Sequence, residues 1–252
     1  MYAGKIMLIG TEAGLGVNNA GLIQSTRAPL TLDHNGWLTN SGTFYSQKDT
    51  HIATQGQITH SGTIAAQGAV QVQSKAERKD GEAAIHGTSR SLIASGLQGD
   101  GTFVQGGAIR LNTNGNIQLN GQLTSLDDIQ VHGARIDATG SQWAGQQIAL
   151  NTQLPVVGGG ASTAADTGIN TTSATLVASQ RLELTTAQTL RTDQATISAP
   201  QLQISANNLS NRQGSIKQTG PTPLALTLPG SIDNTGGNIA SNSNRLDIAA
   251  DR

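Results

Sequence analysis

Apolar residues fall in pairs along this chain, with one residue between the members of each pair. The pairs return about every twenty positions. Ile6 and Leu8, Leu30 and Leu32, Val70 and Val72, Ile109 and Leu111, and Ile129 and Val131 begin the series. Ile148 and Leu150, Leu182 and Leu184, Leu202 and Ile204, Leu224 and Leu226, and Leu246 and Ile248 continue it. In a strand, residues i and i+2 point the same way, so each pair marks a short strand with one buried face. Thr50 and Ile52 fill the interval after Leu32, and Ser91 to Ile93 is assigned to the one after Val72, which makes about twelve laps. A second motif lies between the pairs. Leu38-Thr39-Asn40-Ser41-Gly42-Thr43-Phe44 is followed twenty residues on by Ile58-Thr59-His60-Ser61-Gly62-Thr63-Ile64.

A period of this size, without sustained helical periodicity, predicts an all-β stack of about twelve coils of roughly 20 residues, a β-solenoid. At roughly 4.8 Å per stacked strand the body should be about 55–60 Å long. One coil buries too few aliphatics to offset the entropy of ordering itself, so stability must come from its neighbours. Phe44 aligns with Ile64 and is expected in the core. Trp37 precedes Leu38 and is expected to face out. Asn35-Gly36, Asn114-Gly115 and Asn120-Gly121 are expected to turn through positive φ. Asn207-Asn208, Asn234 and Asn242 are expected at corners, where stacked amides can form ladders.

Three stretches break the period. The reading is one repeat domain over 1–252, with 1–29 as an entry coil and 74–90 and 153–175 as excursions from the shaft. The first excursion carries Lys75, Arg78 and Lys79 in a dense charge run, and the second carries Pro155 and a glycine run. With Trp37, these residues are the candidates for contact with a partner.

Composition narrows the classes. The chain has 252 residues, a net charge of −1 and 2% aromatic residues. That balance gives no basic face for nucleic acid. No apolar run is long enough for a membrane-crossing helix, so no membrane insertion is expected. Cysteine is absent, so an exported form would be held without disulfides. The N-terminus has no signal-peptide pattern, which fits either a cytosolic protein or a piece of something longer.

The N-terminal run Met1-Tyr2-Ala3-Gly4-Lys5-Ile6, with Leu8-Ile9-Gly10-Thr11-Glu12-Ala13-Gly14-Leu15-Gly16-Val17-Asn18-Asn19-Ala20-Gly21, resembles the segment after the secretion domain in two-partner-secretion exoproteins. These include filamentous haemagglutinin-like adhesins and the stick proteins of contact-dependent growth inhibition. The Asn-Ser-Gly-Thr and His-Ser-Gly-Thr coils resemble the haemagglutinin repeats of the same family. The resemblance implies a right-handed parallel β-helix in a secreted, cell-surface filament. It also implies export through an outer-membrane two-partner-secretion transporter, and a distal receptor-binding or toxin region. The expected role is a structural shaft. An adhesin module contacting a glycan or a protein receptor through its loops is the alternative. A monomer with open ends that invite end-to-end stacking is expected.

Chemistry finds little support. The glycines at 14, 16 and 21 lack nucleotide-loop spacing. His34, His51, His60, His86 and His132 show no zinc spacing and are expected at the surface, with a turn role for His60 in the place of Asn40. Asp127, Asp128 and Asp137, with Arg110 and Arg135 near in register, are the residues a β-helical polysaccharide lyase or hydrolase would use. Turn roles for these aspartates are preferred. No catalytic residue, cofactor or metal is expected, and the chain is not expected to be an enzyme.

Overall fold

The computed structural model describes residues 1–76, 82–152 and 167–251. It is a parallel β-solenoid of about eleven turns of roughly 21 residues, without a helix among the described residues. Each lap contributes strands to three ladders. The first ladder contains Ile6–Gly10, Leu30–His34, Thr50–Thr54, Val70–Ser74 and Ile109–Thr113, in continuous parallel register. The second begins with Val17–Asn19, Leu38–Asn40 and Ile58–His60. The third includes Leu22–Ser25, Thr43–Ser46 and Thr63–Ala66. Two long strands, Gln142–Thr152 and Thr175–Thr185, run through the third and first ladders without a break, which joins them into one sheet.

The interior follows from alternation. Most laps send two aliphatics inward from the first ladder and one large apolar residue from each of the others; in the Thr50–Thr54 lap buried Thr50 takes one of the aliphatic places. Leu32, Ile52, Val72, Leu111, Val131 and Leu150 form one such stack. Leu38, Ile58, Ile85, Ile117, Ile136 and Ile169 form another. Phe44, Ile64, Ile93, Leu123, Trp143 and Leu176 form a third. All of these are buried. Each buried aliphatic contributes about 1.5–3 kcal/mol relative to exposure, and each needs the laps on either side to reach that value. The last lap shows the converse. Leu246 and Ile248 stack on buried Leu224 and Leu226, yet are 40% and 47% exposed.

The lap count differs from the expected twelve. Val70–Ser74 pairs directly with Ile109–Thr113. Leu92–Ser95 instead lies in the third ladder, between Thr63–Ala66 and Gln122–Thr124. Residues 70 to 108 therefore make one long lap, and Ser91–Ile93 is not a coil of its own. The extra length includes an excursion after Ser95. It turns back through an antiparallel bridge between Leu97 and Phe103, covers Ala65 and Ala94, and accepts a hydrogen bond from the Tyr45 hydroxyl at Leu97 O (3.1 Å). Within the expected excursions, Ser74, Ala83–Gly87 and Thr167–Asn170 are ladder strands. Residues 77–81 and 153–166 lie outside the described residues.

The Asn-Gly corners also work differently. Gly36, Gly115 and Gly121 are not among the positive-φ residues. A side chain at these positions would collide with Leu15 O, Ala84 Cβ and Ser91 respectively. Glycine is needed there because adjacent laps approach closely, a steric demand rather than a dihedral one. Corners are otherwise fixed by short polar side chains that accept the N–H two residues on. Ser46 Oγ accepts from Lys48 N (3.0 Å), and Thr113 Oγ1 from Gly115 N (3.0 Å).

Candidate functional site

The outward positions of the second ladder form two parallel columns. One runs through Thr59, His86, Gln118, Asp137, Asn170 and Arg191. The other is set one residue before the inward aliphatics, and includes Trp37, Gln57, Asn116 and Arg135. Two surface grooves lie along these columns and share Glu82 and Ala83. One, of about 490 Å³, includes Trp37 and Gln57 in its wall. The other, of about 290 Å³, is lined by Arg135, Asp137, Asn170 and Arg191, among others.

Several of these side chains are held by their neighbours. Asp137 Oδ1 accepts from Thr139 N (3.0 Å) and Thr139 Oγ1 (2.5 Å). One lap on, Asn170 Oδ1 accepts the equivalent pair from Thr172 (3.1 and 2.7 Å). Asn170 Nδ2 donates back to Thr139 Oγ1 (3.0 Å). Arg191 Nε faces Asp193 at 3.9 Å. Arg135 Nε and Thr167 Oγ1 are buried and lack a hydrogen-bond partner. Buried polar atoms normally find partners, so these two are uncommon.

The residues singled out from sequence are scattered. Trp37 is 44% exposed, as alternation requires, and packs over Gly16, where a Cβ would strike its ring. Lys75 is exposed after Val70–Ser74. Arg78, Lys79 and Pro155 lie outside the described residues. Asp127 and Asp137 occupy different corners. Asp127 Oδ2 accepts from Gly106 N (2.8 Å) and Gly107 N (2.9 Å), which makes it a tie for the excursion ahead of it. Arg110 is exposed on the first ladder, away from Arg135 on the second. No cluster of three or more metal-ligating acids and histidines exists among the described residues.

Two histidines correct the surface expectation. His34 and His60 are buried. His34 Nδ1 accepts from Gly36 N (2.7 Å). His60 ends a buried side-chain ladder. Asn19 Nδ2 donates to Asn40 Oδ1 (2.8 Å), Asn40 Nδ2 to His60 Nδ1 (3.1 Å), and His60 Nε2 to Leu92 O (3.1 Å). That donor order requires a neutral imidazole protonated on Nε2. Burial holds the His60 pKa below its ordinary value, against the opposing pull of its bonds to Leu92 and Asn40. At the far end of the column, Asp233 is lowered to about 2, first by the Thr235 hydroxyl and then by Arg212, whose Nε lies 2.6 Å away.

Among known proteins, the chain is similar to a protein named Toxin CdiA from Yersinia pestis. The two are 32% identical over a 258-residue alignment that covers 98% of this chain. The chain spans 8% of the length of that relative. No protein-family model matches, and no solved structure matches. Sequence similarity over nearly the whole chain and the parallel solenoid together fit an exoprotein of the CdiA and filamentous-haemagglutinin type, as the N-terminal run and the repeats indicated.

Proposed function

We propose that this chain is a length of stiff shaft in a secreted, cell-surface exoprotein, and that it holds a distal receptor-binding or toxin region away from the cell. Its role is mechanical. Export through an outer-membrane transporter of the two-partner kind belongs to the same reading. The observation that carries it is register. The first ladder keeps its pairing from Ile6–Gly10 to Ile129–Gly133 although the chain between successive strands varies widely in length. Reach then depends on the number of laps alone. The absence of cysteine suits a chain that passes a pore unfolded and folds afterwards. The exposed terrace of Leu246 and Ile248 is a surface on which a further lap, or a second copy of the column, would stack.

The test is a replacement inside the longer exoprotein. The segment is exchanged for an equal number of laps, each a copy of residues 43–62. A shaft role predicts unchanged surface display and unchanged contact-dependent activity. Normal display with lost activity would show that this segment supplies more than length.

A further inference from the structure

The second face carries a feature that a plain shaft does not need. From the lap of Trp37 to the lap of Arg191, its outward columns present an aromatic ring and then a succession of planar polar groups. Gln57 lines the first groove with Trp37, and Arg135, Asp137, Asn170 and Arg191 line the second. We propose that this face binds a neutral linear oligosaccharide laid along the column axis.

Three arguments select that ligand. The first is charge. Arg135 and Arg191 are balanced in the groove by Glu82 and Asp137, and Arg191 also faces Asp193. Among the described residues, a polyanion would find no net positive charge there. The second is group geometry. Guanidinium, carboxylate and amide side chains offer adjacent donors and acceptors in one plane, which suit pairs of neighbouring hydroxyls. A half-exposed indole offers the apolar face of a sugar ring a platform of matching size. The third is repeat. Successive laps rise by about 4.8 Å, close to the length of one sugar unit in an extended chain. A linear saccharide therefore meets a new side chain at each step. This site is independent of the shaft reading, since its residues point away from the core and the shaft role needs none of them.

The experiment is calorimetric titration of the 252-residue chain with cellohexaose and with chitohexaose, both neutral, and with a heparin hexasaccharide as the anionic arm. At least one neutral hexasaccharide is expected to bind saturably. Affinity is expected to fall at least tenfold in Arg135→Ala and in Trp37→Ala, and to stay unchanged in Gln71→Ala on the first ladder. Trp37→Phe, at a half-exposed position, keeps the test decisive if Arg135→Ala fails to fold, and should weaken binding several-fold. Absence of binding by both neutral chains at millimolar concentration overturns the proposal. So does binding of heparin alone, or neutral binding that both Trp37→Ala and Arg135→Ala leave intact.

Discussion

The corner after the second ladder is built in one way near the N-terminus and in another beyond Asp137. In the early laps it is held by side chains. Asn19, Asn40 and His60 lie in one buried line and bond to one another. The Ser-Gly turns that follow have no positive φ. Glycine is required at 42 and 62 because the preceding lap's backbone occupies the space of a side chain. In the later laps the backbone does the turning. Gly140, Ser173, Gln194, Gln213 and Gly236 all sit in the left-handed region, with φ of 68, 56, 58, 55 and 66°. Three of the five are not glycine, and such residues cost of order 1–3 kcal/mol each. A fragment of ladder persists beneath them, from Thr192 Oγ1 to Asn211 Oδ1 (2.8 Å) and from Asn211 Nδ2 to Asn234 Oδ1 (2.6 Å). Stacking thus fixes where a corner must be. It leaves open whether a buried polar ladder or a left-handed residue makes it.

The sharpest way to break this contrast is to remove the centre of the early ladder. Asn40→Leu leaves an Asn19 amide proton and His60 Nδ1 without their partners. Two unsatisfied buried groups cost about 2–4 kcal/mol. The urea midpoint should fall accordingly, with the loss located by hydrogen exchange to the laps around residues 19–63. The isosteric Thr192→Val in the later corner should cost less, because the left-handed turn at Gln194 remains.

Acid should act next, and only on the early corner at first. The folded His60 pKa lies below the ordinary 6.5, so between the two values the unfolded chain binds more protons. The His60 contribution is therefore complete above about 6.5 and is lost as pH falls through the lowered value. Asp233 contributes above its ordinary 3.8 and loses that contribution only as pH falls toward about 2. Thermal melting from pH 7 to pH 4.5 should show declining stability that His60→Asn abolishes. An unchanged slope in that variant would remove His60 from the explanation.

The smallest effect is a gain. Gln194→Gly relieves a left-handed residue and should raise stability by about 1 kcal/mol. The same change at Asn40, in the early corner, should lower it.

How far these corners could be read in advance depends on what decides them. Inward aliphatics reveal the laps because burial enforces a period of two within each strand and one set per lap. Trp37 is exposed for the same reason. Leu92 to Ser95 misleads because its apolar residues satisfy the third ladder as well as they would the first. Only the length of the following segment, which leaves the column between Gly96 and Gly107, separates the two. Asn-Gly pairs were ambiguous because one residue type answers both a positive φ and a close approach, and here the close approach decides. His60 looks like a surface residue until its alignment with Asn40 and Asn19 is extended into a buried bond. The groove is harder still. Arg135 and Arg191 are far apart in the chain, and laps of unequal length separate them. Aligning the laps on Ile117, Ile136, Ile169 and Leu190 brings Asp137, Asn170 and Arg191 into one column, and that is the signal the sequence held.

All of this rests on one lap lying directly on the next, whatever the length of chain between them. The direct measurement is a cysteine pair in a chain that has none. Gln71 and Arg110 are register partners across the longest of the irregular laps. Neighbouring parallel strands lie about 4.8 Å apart, within the Cα range a disulfide tolerates. Gln71→Cys with Arg110→Cys should therefore oxidise fully, read as a mass loss of two hydrogens, while Gln71→Cys with Leu92→Cys stays reduced. A free 71/110 pair alongside a closed 71/92 pair would place a separate coil between them and contradict the eleven-turn column.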